Sequence, residues 1–116
     1  MGRFPSRMFR WAAIYGVIVL TPLYLVPLPR VGAETFLGFI GLALVFQGVF
    51  WTIGGDPVKF RTLMPYAIAE KFVFALPAIT LFFIGVTPPT IALFAAIDVM
   101  LGLGFMIAWQ RTPVGA

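Results

Sequence analysis

Thr35-Phe36-Leu37-Gly38-Phe39-Ile40-Gly41-Leu42-Ala43-Leu44-Val45-Phe46-Gln47-Gly48-Val49-Phe50-Trp51-Thr52-Ile53 is a run of 19 residues without a single charge. At about 1.5 Å of rise per helical residue it is long enough to cross a hydrocarbon core of about 30 Å. It does not alternate between apolar and polar residues, as a strand of a membrane barrel would. In lipid every backbone N–H and C=O must be satisfied within the protein, and an unbroken apolar run does that only as a helix.

Three similar runs flank it, about Trp11–Leu28, Tyr66–Gly85 and Pro89–Trp109. The predicted fold is therefore all-α: one domain over residues 1–116, an integral membrane bundle of four helices in two antiparallel hairpins. The composition agrees. Of the 116 residues 61% are hydrophobic and 10% charged, against about 25% charged in soluble domains. A soluble domain of this size cannot hide so much apolar surface.

Orientation is read from lysine and arginine. Arg3, Arg7 and Arg10 precede the first span; Lys59, Arg61 and Lys71 lie at the link into the third; Arg111 follows the fourth. Only Arg30 falls on the other side. The positive-inside rule then puts both termini in the cytoplasm, in an inner (plasma) membrane if the source is bacterial. Trp11, Trp51 and Trp109 fall at the same boundary, where interfacial tryptophans belong. Arg3, Arg7, Arg10, Lys59, Arg61 and Arg111 form a basic belt facing the headgroups, explained by topology alone or by anionic lipid. The net charge of +4 is dispersed over helix ends and forms no nucleic-acid patch, so no nucleic-acid partner is expected.

The amino terminus carries two further patterns. Its basic start, apolar stretch and Val31-Gly32-Ala33 share features of a signal peptide, but the run is long and Pro27 and Pro29 interrupt its end, so no cleavage is expected. Met1-Gly2-Arg3-Phe4-Pro5-Ser6 fits the bare myristoylation pattern, which four spans make superfluous.

The turns are legible. Pro27, Pro29 and Gly32 break the first hairpin; Thr87 is expected to cap the fourth helix, with Pro88 at its first position. Gly54-Gly55 ends the second helix, and Asp56-Pro57 caps a short interfacial turn over Val58–Met64. Pro22 and Pro77 are expected inside the first and third helices, a faint sign of a repeated hairpin.

The chain has no cysteine and no histidine. Disulfides, thiolate nucleophiles, imidazole acid–base chemistry and the usual zinc sets are thereby excluded. There is no phosphate-binding glycine loop, no G-x-S-x-G elbow and no HExxH. No catalytic residue, metal or cofactor is expected, and the chain reads as no enzyme.

What remains are polar groups inside the spans, which are costly and so mark candidate sites. They are Gln47, Glu70, Lys71 and Asp98. Asp98 lies roughly 12 Å along its helix from Thr90, on a face with Ala95 and Gly102. Lys71 shares its face with Ala67, Ala75 and Ala78. Small residues mark faces where helices approach closely, so both charges are expected to point inward and pair. Glu70, about 100° around from Lys71, is expected to turn away toward Lys59 and Arg61. Gln47 lies at the depth of Lys71 and is expected to hydrogen-bond to it. Gly38, Gly41 and Gly48 predict a close-packing face, within the chain or as a homodimer seam.

Asp56-Pro57-Val58-Lys59-Phe60-Arg61-Thr62-Leu63-Met64-Pro65, then Glu70-Lys71 and the ending Trp109-Gln110-Arg111-Thr112-Pro113, resembles small four-helix bacterial inner-membrane proteins of unassigned function. The overall plan is more loosely similar to DoxX-like membrane proteins. The likeness implies a membrane location and no activity. Three functions are compatible with the sequence. One is a structural or accessory component associated with other membrane subunits. A second is a small proton-coupled transporter acting as a homodimer, with Asp98 or Glu70 titrating. The third is a lipid- or quinone-handling protein holding its ligand near Gln47 and Lys71.

Overall fold

The computed structural model describes residues 3–114. Met1 and Gly2, which open the myristoylation pattern, lie outside them. The fold is all-helical, with four helices long and apolar enough to span a membrane. They are α1 (Phe4–Leu20), α2 (Ala33–Gly55), α3 (Met64–Phe83) and α4 (Pro89–Arg111).

The first span is displaced from its expected position. α1 begins seven residues before Trp11 and ends at Leu20, where the chain tightens into a 3-10 helix over Thr21–Leu25. Pro22 is therefore not inside an α-helix. It lacks the N–H that would continue the ladder, and the shorter 3-10 spacing takes over. The early start is held from outside the helix: Ser6 Oγ donates to Gly54 O at 2.6 Å, and Arg10 Nε donates to Trp51 O at 3.2 Å.

The other ends follow from their residues. α2 opens from Gly32 at φ 76°, a left-handed conformation that glycine adopts without a Cβ clash, with Glu34 complementing the dipole in the first turn. After α2, Asp56 Oδ1 accepts from Lys59 N at 3.2 Å, and the turn continues into a short 3-10 segment, Arg61–Leu63. α3 closes with Gly85 at φ 85°. Val86 N donates to Leu81 O at 2.8 Å and Gly85 N to Phe82 O at 3.0 Å, the two bonds of a Schellman cap. Thr87 does not cap α4. Pro88 occupies that position in extended conformation, with Pro89 opening the helix. Pro77 does lie in a helix interior, that of α3.

α1 packs closely along α2, and α3 along α4; the two hairpins join through α1 and α4, whereas α2 and α3 barely touch. The packing reverses a soluble core. Inside are Ala12, Ala13, Ala67, Ala75, Ala95 and Ala108, with Phe9, Phe50 and Phe105. Large aliphatic residues such as Ile18, Leu42, Val45, Val73, Leu93 and Met100 face outward. Lipid tails solvate those side chains as well as a protein interior does, so small residues mediate the helix contacts.

The end carrying the basic residues is sealed. The Phe9 and Phe105 rings stack 4.2 Å apart, and Phe50 meets Phe105 edge-on at 4.9 Å. Two arginines of the expected belt turn toward the protein rather than the lipid. Arg10 stacks on Trp51 at 3.9 Å while bonding its carbonyl. Arg61 donates to Thr112 O at 2.8 Å and to Trp109 O at 3.4 Å. Each bonds carbonyls in or just beyond the last turns of a helix, where a cation meets the negative end of the dipole.

The glycines that bring helices together are not the expected ones. A Cβ on Gly38 or Gly48 would meet nothing within 4 Å, and one on Gly41 only the Tyr24 hydroxyl at 3.5 Å. Gly38 and Gly48 face away from the bundle, and Gly41 meets only the end of the Tyr24 side chain. At Gly54 a Cβ would come within 3.0 Å of Ser6 O, and at Gly102 within 2.7 Å of the Phe72 ring. Glycine is what lets α1 reach α2 and α3 reach α4 there.

Candidate functional site: a charged chamber between the helices

Between the sealed end and the opposite end the four helices separate around a chamber of about 380 Å³. Its walls are apolar: Val19, Leu20 and Leu23 from the first segment, Phe36, Phe39 and Ala43 from α2, Phe74 from α3, Ile91 and Phe94 from α4. Its polar lining comprises Tyr15, Gln47, Glu70, Lys71, Thr90 and Asp98. All four intramembrane residues singled out in the sequence thus line one space.

Lys71 is the centre of the polar group. Its side chain is 5% exposed. Nζ lies 3.5 Å from Asp98 Oδ1 and 3.6 Å from Glu70 Oε1, and 5.1 Å from the centroid of the Phe50 ring. Glu70 therefore does not turn toward Lys59 and Arg61. Backbone angle alone separates neighbouring residues on a helix, but the long lysine stem swings its charge back over the adjacent carboxylate. The distances exceed the about 2.7–2.9 Å of a close charge-assisted hydrogen bond. The ammonium is shared between the two carboxylates and engaged tightly with neither.

Gln47 does not hydrogen-bond to Lys71. Its Nε2 donates to Ala43 O at 2.7 Å, one turn back along α2. That contact fixes the amide orientation, since the opposite flip would set oxygen against oxygen. Oε1 is then directed at Gly16, where any Cβ would collide with it, and it has no donor. Glu70 Oε1 likewise accepts no hydrogen bond. Gln47 is 2% exposed, and buried polar atoms left without partners are uncommon in native folds.

On the lipid side of the α2–α3 seam lies a second space, a groove of about 460 Å³ lined by Leu42, Phe46, Tyr66, Ala69 and Val73. It shares Phe39, Ala43, Glu70 and Phe74 with the chamber. The Phe39 and Phe74 rings, 5.6 Å apart, stand between the two.

The Lys71–Asp98 pair makes a direct prediction. Asp98→Asn retains a polar acceptor for the ammonium and leaves Glu70 as counter-ion. Asp98→Leu removes the acceptor. Thermal melting in detergent is expected to show the leucine variant losing more stability than the asparagine variant. Equal and negligible losses would show that the pair contributes nothing.

No family model matches the chain, and neither the curated proteins nor the solved structures include a match to it. Fold and composition define a small multi-pass membrane protein, a four-helix bundle with a charged chamber between its helices.

Proposed function

We propose that this is a bacterial inner-membrane protein with both termini cytoplasmic, which binds an amphipathic small molecule in the chamber. One observation carries the reading: the three intramembrane charges and the donor-less Gln47 line an open, apolar-walled space. Charges that served only as packing glue would be expected to bury their polar ends between helices. Here Glu70 and Asp98 keep 18% and 21% of their side-chain surface. The volume falls within the usual range for small-ligand sites, about 300–1,000 Å³, and apolar walls with a few converging polar groups are their usual lining. The proton-coupled transporter reading requires in addition that the chamber open past Phe9, Phe50 and Phe105.

Native mass spectrometry of the protein released gently from its own membranes tests the proposal. A single amphiphile is expected to accompany the wild type. Val19→Trp, which puts an indole into the chamber from a half-buried wall position, is expected to lose it without loss of melting temperature. A wild type carrying only bulk lipid would overturn the reading.

A second reading, as an accessory subunit, is favoured by the outward face of α2, where Gly38 and Gly48 have open space beside them. The same spectra would show the partner as a heteromeric mass.

A further inference from the structure

The polar lining of the chamber leans toward acceptors: Tyr15 and Thr90 bring hydroxyls, which both donate and accept, and Glu70 and Asp98 bring carboxylates. Gln47 donates to Ala43, and its Oε1 accepts no hydrogen bond but is enclosed against Gly16 and closed to a ligand. Glu70 Oε1 is also without a donor. Lys71, the only cation in the lining, already faces both carboxylates. The acceptors within reach of a ligand are therefore on the partly exposed Glu70 and Asp98 carboxylates, which favour a head that donates hydrogen bonds.

The charge count points the same way. Two carboxylates face one ammonium, and no arginine lines the chamber. An uncompensated charge at membrane depth is costly, and a head carrying one positive charge would restore neutrality. An anionic head would add to the excess and bring acceptors where acceptors are already unpaired. The walls supply aromatic faces from Tyr15, Phe39, Phe74 and Phe94, which attract a cation electrostatically and take an apolar tail equally well.

We propose that the chamber selects an amphipathic amine, a molecule with an apolar tail and a protonated, N–H-bearing head that donates to the Glu70 and Asp98 carboxylates. The proposal rests on the chamber being a ligand site and specifies the head. A protonated primary amine carries three N–H donors and can therefore bond both carboxylates at once. A quaternary ammonium carries the same charge but no N–H, so it satisfies the charge and hydrogen-bonds to neither carboxylate.

The test is a head-group series on one tail: dodecylamine, dodecyltrimethylammonium, dodecanol and dodecanoate, added to the protein in phosphatidylcholine nanodiscs. Binding is read as bound mass in native spectra and as rise in melting temperature, with empty nanodiscs and Val19→Trp as controls for partitioning. Dodecylamine is expected to bind once per chain, about tenfold or more tighter than dodecanol, the factor that corresponds to about 1.4 kcal/mol for one added charge interaction. Dodecyltrimethylammonium is expected to fall between them, and dodecanoate not to bind. Asp98→Asn and Glu70→Gln are each expected to abolish the preference for amine over alcohol while dodecanol still binds. Lys71→Gln changes the count in the opposite direction and is expected to strengthen amine binding, so the proposal does not depend on one variant folding well. Equal binding of amine and alcohol, or a preference for dodecanoate, would overturn the amine assignment and leave the chamber reading standing. Failure of all four probes, with the same response in Val19→Trp as in wild type, would overturn both.

Discussion

Replacing Lys71 with methionine is expected to cost about 3–5 kcal/mol of stability, the range seen when one partner of a buried charge pair is removed. Methionine matches the apolar stem, so packing against Gly102 and Phe50 changes little. What is lost is the only positive charge facing Glu70 and Asp98, and two carboxylates are left to repel each other at membrane depth. Removing those carboxylates as well separates charge from shape. The triple variant with Glu70→Gln and Asp98→Asn is expected to regain most of the loss, because no uncompensated charge is then left at membrane depth. Unfolding in mixed micelles checks both. If the triple variant is as unstable as Lys71→Met alone, the loss does not come from the two uncompensated carboxylates.

Phe105→Ala is expected to open the sealed end. Phe105 is fully buried, stacked on Phe9 and edge-on to Phe50, so no neighbour fills its place without moving. In a soluble core such a truncation costs about 3–5 kcal/mol, a sum of lost transfer energy and a cavity term. In lipid the transfer term largely drops out, and roughly 2 kcal/mol is expected from the cavity alone. The larger effect is on access. Because the chain lacks cysteine, Ala43→Cys in the chamber wall is a unique reporter. With Phe105 intact, a membrane-impermeant thiol reagent is expected to reach it only from the end opposite the basic residues. With Phe105→Ala it is expected to react from both sides. Labelling from the basic side with Phe105 in place would show that the three rings form no seal. The same assay reports which side of the membrane that end faces.

The four helices were legible because spanning length is a property of one uninterrupted stretch. The beginning of α1 was not. Ser6, Arg7 and Arg10 look like a polar tail until Gly54 and Trp51 supply carbonyls for Ser6 and Arg10 from 48 and 41 residues away. The pairing of Lys71 with Asp98 was readable because both share helix faces with alanine or glycine. The position of Glu70 was not, because an angular argument between neighbours ignores how far a lysine stem reaches. Glycine proved the least informative residue. Gly38, Gly41 and Gly48 predict close packing as well as Gly16, Gly54 and Gly102 do, yet only the second set has a neighbouring helix against it. The arginines that close helix ends, Arg10 and Arg61, had one available signal: each bonds the carbonyl of a tryptophan whose ring it also faces.

The sparse contact between α2 and α3 has a mechanical consequence. α1 and α4 act as the spine of a book whose covers are the two hairpins, and the fore-edge is the line where Phe39 meets Phe74. Parting the covers there breaks few contacts, whereas parting α1 from α2 or α3 from α4 breaks many. A hinge that opens sideways along this line is therefore the deformation that breaks the fewest contacts between the helices.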